Sequence, residues 1–288
     1  MIRKSFAKIN LYLEILGKRA DGYHLLDSLM VLIDIFDVIK IETSDKLELF
    51  IEGSNSLILR QNLQENIIIK AINLLAHNYN FSSKVKITLQ KNIPIAAGLG
   101  GGSSNAACIM LMLNDFYQLG LTQKQLLDLG LQIGADVPFF LNSLVNQKPM
   151  LVAGVGEDLK ECPYQLPKWH LLIINPNISL STKSVFELSG KNNSTKRQSF
   201  QTQNQEVITL IQSHNNDLQD CAISLVPEIA TIIDFVRAEK GCLLARMSGS
   251  GASCFAIFDD IDDLGKCYDK ATKTFPDFYI KKSSFLNS

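Results

Sequence analysis

From Lys84 to Gln90, apolar Val85, Ile87 and Leu89 alternate with Lys84, Lys86, Thr88 and Gln90, the period of two that gives a strand one buried face. Short alternating or apolar runs at Ala7 to Leu16, Asp37 to Glu42 and Lys46 to Glu52 predict further strands. Between them, Asn66 to Tyr79 places Ile68, Ile72 and Leu75 at helical spacing, and a second helix is predicted from about Ser104 to Gln118, stopped by Gly120. Thr122 and Gln125 form a capping-box pattern ahead of Leu126, Leu127, Leu129, Leu131 and Ile133, and Gly134 ends that helix, so Asp136 sits just past a helix end. The pattern restarts with a strand at His170 to Asn175. A helix from about Asp217 to Glu239 and strands at Cys242 to Met247 and Cys254 to Phe258 follow. Gly190 to Glu206 is almost wholly polar and reads as a surface loop or a partly disordered segment. No solenoid-length repeat stands out, and the mixed order of strands and helices predicts an α+β chain.

Composition narrows the class of partner. The chain has 288 residues, 46% of them hydrophobic, enough for one large or two modest domains. With 28 basic and 29 acidic residues the formal charge is −1, so no global field draws the protein to nucleic acid or to an anionic membrane. The longest apolar run, Ala106 to Leu113, is far short of a membrane span, and Lys8, Asn10 and Glu14 interrupt the N-terminal apolar stretch where a signal peptide would be continuous. A cytoplasmic protein is expected. Its six cysteines form no C-x-x-C pair, which predicts reduced, mostly interior thiols.

The chemistry concentrates at "PIAAGLGGGSSNAA", Pro94 to Ala107, where Gly98, Gly100, Gly101 and Gly102 deliver the chain to a helix start. Such a start exposes backbone N–H groups and carries about half a positive charge, a setting suited to phosphate. Ser103 and Ser104 add hydroxyls for phosphate or magnesium. No Gly-Lys pair is followed by Ser or Thr, which excludes a Walker loop, and Ser103 stands where a dinucleotide fingerprint needs its last glycine. A glycine-rich turn that only caps a helix is the plain alternative. Asp136 in "GADVP" offers a carboxylate beside Pro138, which would hold the local backbone open; a turn aspartate is equally compatible with those residues. On an alternating strand Lys8 would share a face with Asn10 and Tyr12.

The glycine motif resembles the ATP-binding motif of the GHMP kinases. Three further stretches extend the resemblance: "FAKINLYLEILGKRADGYHLLDSLM" (Phe6 to Met30), "IGADVPFF" (Ile133 to Phe140) and "MSGSGAS" (Met247 to Ser253). Together they are similar to the branch of that superfamily that uses ATP to phosphorylate a cytidylylated sugar alcohol on the methylerythritol phosphate route to isoprenoid precursors. The resemblance implies a two-domain GHMP fold, residues 1–159 and 160–288, with the active site in the interdomain cleft. It implies ATP as co-substrate with magnesium, its ligands open, and no nucleic-acid or membrane partner; the oligomeric state is open too.

Carried over residue by residue, the resemblance makes Lys8 and Asp136 the catalytic pair and Asn10 a residue that orients substrate. It wraps Pro94, Gly98, Leu99, Gly100, Gly101, Gly102, Ser103 and Ser104 around the triphosphate, with Asn66 and Lys91 as base or phosphate contacts. It assigns Tyr23, His24, Thr182 and Phe186 to the cytidine end of the acceptor, and Gly249 and Gly251 to a close backbone approach. Asn105 stands where many relatives have Asp. A noncatalytic ATP sensor would keep the loop and lose Asp136 or Lys8. A mevalonate or homoserine kinase would have no base for Tyr23 and His24 to grip.

Overall fold

The computed structural model describes residues 1–53, 59, 63–190 and 207–286; the predicted polar loop, beyond Gly190, lies outside the described residues. The chain gathers into two compact units. The first is drawn from Met1–Ala7, Ile35–Ile95 and Gly100–Gln147, the second from Lys8–Asp34, Ala96–Leu99 and Lys148–Ser288. Two long paired strands, β1 (Ile2–Lys18) and β2 (His24–Thr43), each contribute to both units.

In the first unit the end of β2 pairs antiparallel with β4 (Val85–Gln90), and β4 pairs parallel with β3 (Glu48–Glu52). Val85, Ile87 and Leu89 are buried, as the alternation requires. Four helices complete the unit: α1 (Ile67–Tyr79), α2 (Gly101–Phe116), α3 (Gln123–Ile133) and α4 (Val137–Asn146). Helix α2 packs against the other three, which explains why its apolar run has no polar stripe: from Ser104 to Met110 every residue is buried. The predicted capping box closes α3, Gln125 N donating to Thr122 Oγ1 and Thr122 N to Gln125 Oε1. Pro138 does not hold the backbone open, as its sequence setting suggested. It lies in the first turn of α4, where a missing N–H costs no helical hydrogen bond.

In the second unit the start of β2 pairs antiparallel with β5 (Met150–Gly154), and β5 with β6 (Asp158–Glu161). A separate antiparallel sheet runs in the order β10 (Tyr279–Ser284), β7 (His170–Asn175), β9 (Cys254–Phe258), β8 (Cys242–Met247). The helices are α5 (Thr182–Ser189), α6 (Val207–Gln212), α7 (Gln219–Leu225), α8 (Glu228–Arg237) and α9 (Ile261–Thr274). Leu172 and Ile174 from the sheet, Ile232 and Val236 from α8, and Leu264 from α9 share one core. The single helix expected over Asp217 to Glu239 is broken in two. Val226 leaves helical geometry (φ −137°, ψ 84°) because the ring of Pro227 disfavours it in the preceding residue.

All six cysteines are free thiols. Burial raises those of Cys108, to about 12, and Cys242, to about 11, so they behave as packing residues. Among the described residues no helix is long and apolar enough to cross a membrane.

Candidate active site

The glycine loop leaves β4 at a buried ion pair. Lys91 Nζ lies 2.7 Å from Asp37 Oδ2 and donates to the Ile93 carbonyl at 2.7 Å. The other oxygen of Asp37 accepts the backbone N–H groups of Asn92 and Ile93 at 2.7 and 2.8 Å. Burial pushes the Lys91 pKa down, with Asp37 opposing that shift. Sequence placed Lys91 against the nucleotide; the structure gives its ammonium to Asp37, where it fastens the root of the loop. Asn66 is likewise committed at its oxygen: it is the N-cap of α1, Oδ1 accepting from Ile68 N at 2.9 Å.

Helix α2 begins differently. Gly100, at its N-cap, is in the left-handed region (φ 68°) and has no side chain to close the helix; the first intrahelical bond runs from Ser104 N to Gly100 O at 2.9 Å. The N–H groups of Gly101, Gly102 and Ser103 therefore form the open end of α2. Two adjacent glycines here are not equivalent. A side chain at Gly101 would begin 2.9 Å from Ile93 Cγ2 and 3.1 Å from Lys91 Nζ, so that glycine is required by the protein's own packing. At exposed Gly102 it would meet only Ile67, at 3.8 Å, so nothing in the protein demands glycine there.

The two serines also part company. Ser104 is buried, donates to the Phe6 carbonyl at 2.6 Å and contacts Ser5 Oγ at 2.7 Å, which commits its hydroxyl to β1. Ser103 stays half-buried, and a side chain on Gly134 would begin 3.9 Å from its hydroxyl, so the turn leading to Asp136 passes beside the start of α2. Asp136 occupies the N-cap position of α4 yet makes no side-chain cap hydrogen bond. Asn105 is buried with its carbonyl oxygen unpartnered. A carboxylate at that position would carry a charge into the same interior, which explains why the amide suits this chain.

In the second unit Lys8 is almost wholly buried, 3% exposed, and donates to Asn10 Oδ1 at 2.5 Å. Asn10 Nδ2 in turn donates to Ser28 Oγ at 2.8 Å, and Ser28 donates to the Tyr12 carbonyl at 2.6 Å. The backbone N–H of Lys8 bonds the Leu99 carbonyl at 3.0 Å. Across from it lies the glycine-serine turn between β8 and β9. A side chain on Gly98 (φ 72°) would begin 2.1 Å from the Ser248 carbonyl, and one on Gly249 (φ 56°) 2.9 Å from the Gly98 carbonyl and 3.2 Å from Lys8 Nζ. Only glycine at both positions allows this approach.

On its other flank the turn reaches the predicted acceptor residues. Ser250 Oγ and Thr182 Oγ1 are 2.9 Å apart. Thr182 opens α5, and one turn along it Phe186 stacks on His24, ring centroids 5.0 Å apart at 29°. Burial, with a smaller push from Lys18, lowers the His24 pKa below its ordinary 6.5, keeping the imidazole neutral near neutral pH. Tyr23 ends the hairpin turn between β1 and β2 and is 60% exposed. Sequence reasoning missed Asp37, Ser28 and Ser248. Asp37 carried no distinguishing local signal, since Asp27, Asp34, Lys40 and Glu42 share its strand, and its partner lies 54 residues away.

The chain matches the family described as GHMP kinases N terminal domain over residues 66–143 and GHMP kinases C terminal over residues 201–277. It is 35% identical to 4-diphosphocytidyl-2-C-methyl-D-erythritol kinase of Clostridioides difficile (strain 630), covering 98% of this chain and 94% of that protein. Identity to the enzyme of the same name from Brucella melitensis is 39%, over 88% of this chain and 85% of that one. A crystal structure of 4-(cytidine 5'-diphospho)-2C-methyl-D-erythritol kinase superimposes with a TM-score of 0.76 at 27% identity, covering 99% of both chains. An anion-ready helix start, a buried lysine beside a glycine turn, and these relatives over nearly the whole length lead to one conclusion: the chain belongs to the 4-diphosphocytidyl-2-C-methyl-D-erythritol kinase family of the GHMP kinases.

Proposed function

We propose that the protein transfers the γ-phosphoryl group of ATP to the 2-hydroxyl of 4-diphosphocytidyl-2-C-methyl-D-erythritol, giving the 2-phosphate and ADP, in the cytoplasmic methylerythritol phosphate pathway. The observation that carries the choice of acceptor is the His24–Phe186 stack, joined through Thr182 and Ser250 to the turn that flanks Lys8. A kinase for a small aliphatic alcohol has no use for a neutral imidazole stacked on a phenyl ring. A pyrimidine needs an aromatic platform and a hydrogen-bonding edge.

Phosphoryl transfer asks the protein chiefly for positioning and for neutralisation of charge. The open N–H groups of Gly101, Gly102 and Ser103 receive phosphate oxygens. Ser103, the serine whose hydroxyl is not committed to β1, is the residue we assign to a magnesium ion held mainly by the nucleotide's own phosphates. Magnesium would neutralise charge on the β- and γ-phosphates. The acceptor oxygen attacks the γ-phosphorus, the bond to the ADP oxygen breaks, and the 2-hydroxyl proton passes to the Asp136 carboxylate. Lys8, steered by Asn10, supplies the positive charge that favours the nascent alkoxide and the moving phosphoryl group. A coupled ADP-release assay with four acceptors tests the reading: the cytidylylated substrate, its uridine counterpart, mevalonate and homoserine. The cytidylylated acceptor should be preferred; preference for mevalonate or homoserine would leave only the superfamily assignment.

A further inference from the structure

The turn that approaches Lys8 and Gly98 is held by a residue far in sequence from every predicted site residue. Asn216 is buried, and its Nδ2 donates to two carbonyls of the same turn, Met247 O and Gly249 O, each at 2.8 Å. Its Oδ1 accepts from Leu218 N at 3.0 Å. An amide has two N–H donors and one carbonyl acceptor, and all three are used in a single fixed orientation. The segment around Asn216 is also laced to β1, the strand that carries Lys8: Leu13 N donates to Asn215 O at 2.9 Å and Asp217 N to Leu13 O at 2.8 Å. Ser248, fully buried, completes the arrangement by donating from Oγ to the Gly98 carbonyl at 3.0 Å.

We propose that Asn216 and Ser248 are positioning residues for phosphoryl transfer: together they clamp the Ser248–Gly251 turn between β1 and the Ala96–Leu99 segment, and so fix the wall against which the Lys8 ammonium rests. The inference rests on the reading of Lys8 as catalytic. Gly249 is the point of contact, since its carbonyl is one of the two that Asn216 holds and a side chain built on it would begin 3.2 Å from Lys8 Nζ. The clamp is chemically strict. A carboxylate at position 216 has the shape of the amide and keeps an acceptor for Leu218 N, but it turns an oxygen toward two carbonyls. The turn is then pushed away rather than held.

The test compares Asn216→Asp, Asn216→Ala and Ser248→Ala with wild type, measuring thermal unfolding, kcat and the KM of each substrate by ADP release. For both Asn216 variants kcat should fall about tenfold or more, and for Ser248→Ala about threefold or more, since small misplacements of a charge-stabilising group are costly in rate. The KM of the cytidylylated acceptor should change less than kcat, because the clamp reaches the His24–Phe186 stack only through the Ser250–Thr182 contact. In a Lys8→Met background, Asn216→Ala should cost less than about twofold further, the non-additivity expected if it acts through Lys8. Unchanged kcat in folded Asn216 variants, or a full additional loss on top of Lys8→Met, overturns the proposal. If the Asn216 variants do not fold, Ser248→Ala decides it, and an unchanged kcat there overturns it. The wild-type acceptor comparison keeps the two readings apart. Preference for another alcohol refutes the cytidine reading and the clamp is then assayed with that alcohol, whereas transfer to none of the four refutes both.

Discussion

Helices α1 and α2 pack side by side in the first unit and begin in opposite ways. At α1, Asn66 has extended backbone and folds its side chain back onto Ile68 N, so the helix end is closed by its own cap. At α2, left-handed Gly100 offers no side chain, and the first turn stays open. The same contrast separates two aspartates. Asp260 at the start of α9 accepts from the N–H groups of Asp262 and Asp263, whereas Asp136 at the start of α4 caps no N–H of its own helix. A helix that only has to begin uses a polar side chain to satisfy its first donors. Four described helices begin without one: α7 and α8, with Leu218 and Pro227 at the N-cap, and α2 and α4, whose termini we assign to phosphate and to the proton acceptor.

The largest effect should come from breaking this comparison at Asp136. Asp136→Asn keeps the shape and removes the charge, so turnover should drop by roughly 10²- to 10⁴-fold, the range for losing a positioned proton acceptor. A melting curve of the variant, on the preparation used for initial rates, separates loss of the charge from loss of the fold. Near-normal turnover would return Asp136 to the role of a turn residue.

Next in size is the pair of glycines. Gly102→Val should leave the fold intact and weaken ATP-analogue binding by about tenfold to a hundredfold, the worth of a hydrogen bond to a charged group. Gly101→Val should instead overpack the contact with Ile93 and Lys91 and destabilise the fold by about 1–3 kcal/mol. Calorimetry with an ATP analogue, run beside thermal unfolding, separates them. If Gly102→Val bound the analogue normally, the phosphates would have to lie elsewhere.

At the acceptor site, Tyr23→Ala should forfeit roughly 1–3 kcal/mol of base stacking and raise the acceptor KM by about one to two orders of magnitude, leaving ATP binding unchanged. Tyr23→Phe should be mild. Protonation gives an independent reading of His24. Its pKa lies below the ordinary 6.5, so the acceptor KM should be flat through neutral pH and rise only as the solution is acidified through that lowered pKa. His24→Ala should abolish that rise and blunt discrimination against the uridine analogue, since a wrong base edge no longer leaves polar groups unpaired.

How much of this was legible in the sequence depended on whether the signal was local. The alternation of β4 and the capping box of α3 are properties of a few consecutive residues, and both appear where the pattern puts them. Strand β1 was predicted from Ala7 to Leu16 and extends over Ile2–Lys18, but both of its faces are buried: Ala7, Ile9 and Leu11 on one side, Lys8, Asn10 and Tyr12 on the other. A lysine there looks solvated until Asn10 and the glycine turn are seen around it. His24 to Met30 was quoted only within the stretch that carries the family resemblance, and it proves to be the first part of β2. Helix α9 escaped notice because its buried face is Leu264, Cys267 and Ala271, correctly spaced but mostly small. The resemblance assigned Lys91 to the nucleotide, and only the fold brings Asp37 to it.

The smallest expected effect isolates capping from chemistry. Asp260 lies at the surface of the second unit, and the N–H groups of Asp263 and Asp262 hold its carboxyl below its ordinary 3.8. A carboxylate with a depressed native pKa contributes stability that is present above its unfolded pKa and is lost as the pH falls through the native one. Asp260→Ala should therefore lower the unfolding temperature at neutral pH, and the gap between variant and wild type should close in acid, below the carboxylate range. Turnover at neutral pH should be unaffected, in direct contrast to Asp136→Asn. Melting curves of the two proteins at several pH values, with one set of initial rates, make the comparison. A gap that persisted unchanged in strong acid would mean that the aspartate holds α9 by packing and not by charge. A fall in kcat for folded Asp260→Ala would show that a capped helix start can serve the reaction too, and the distinction between closed and open helix ends would fail as a guide to the site.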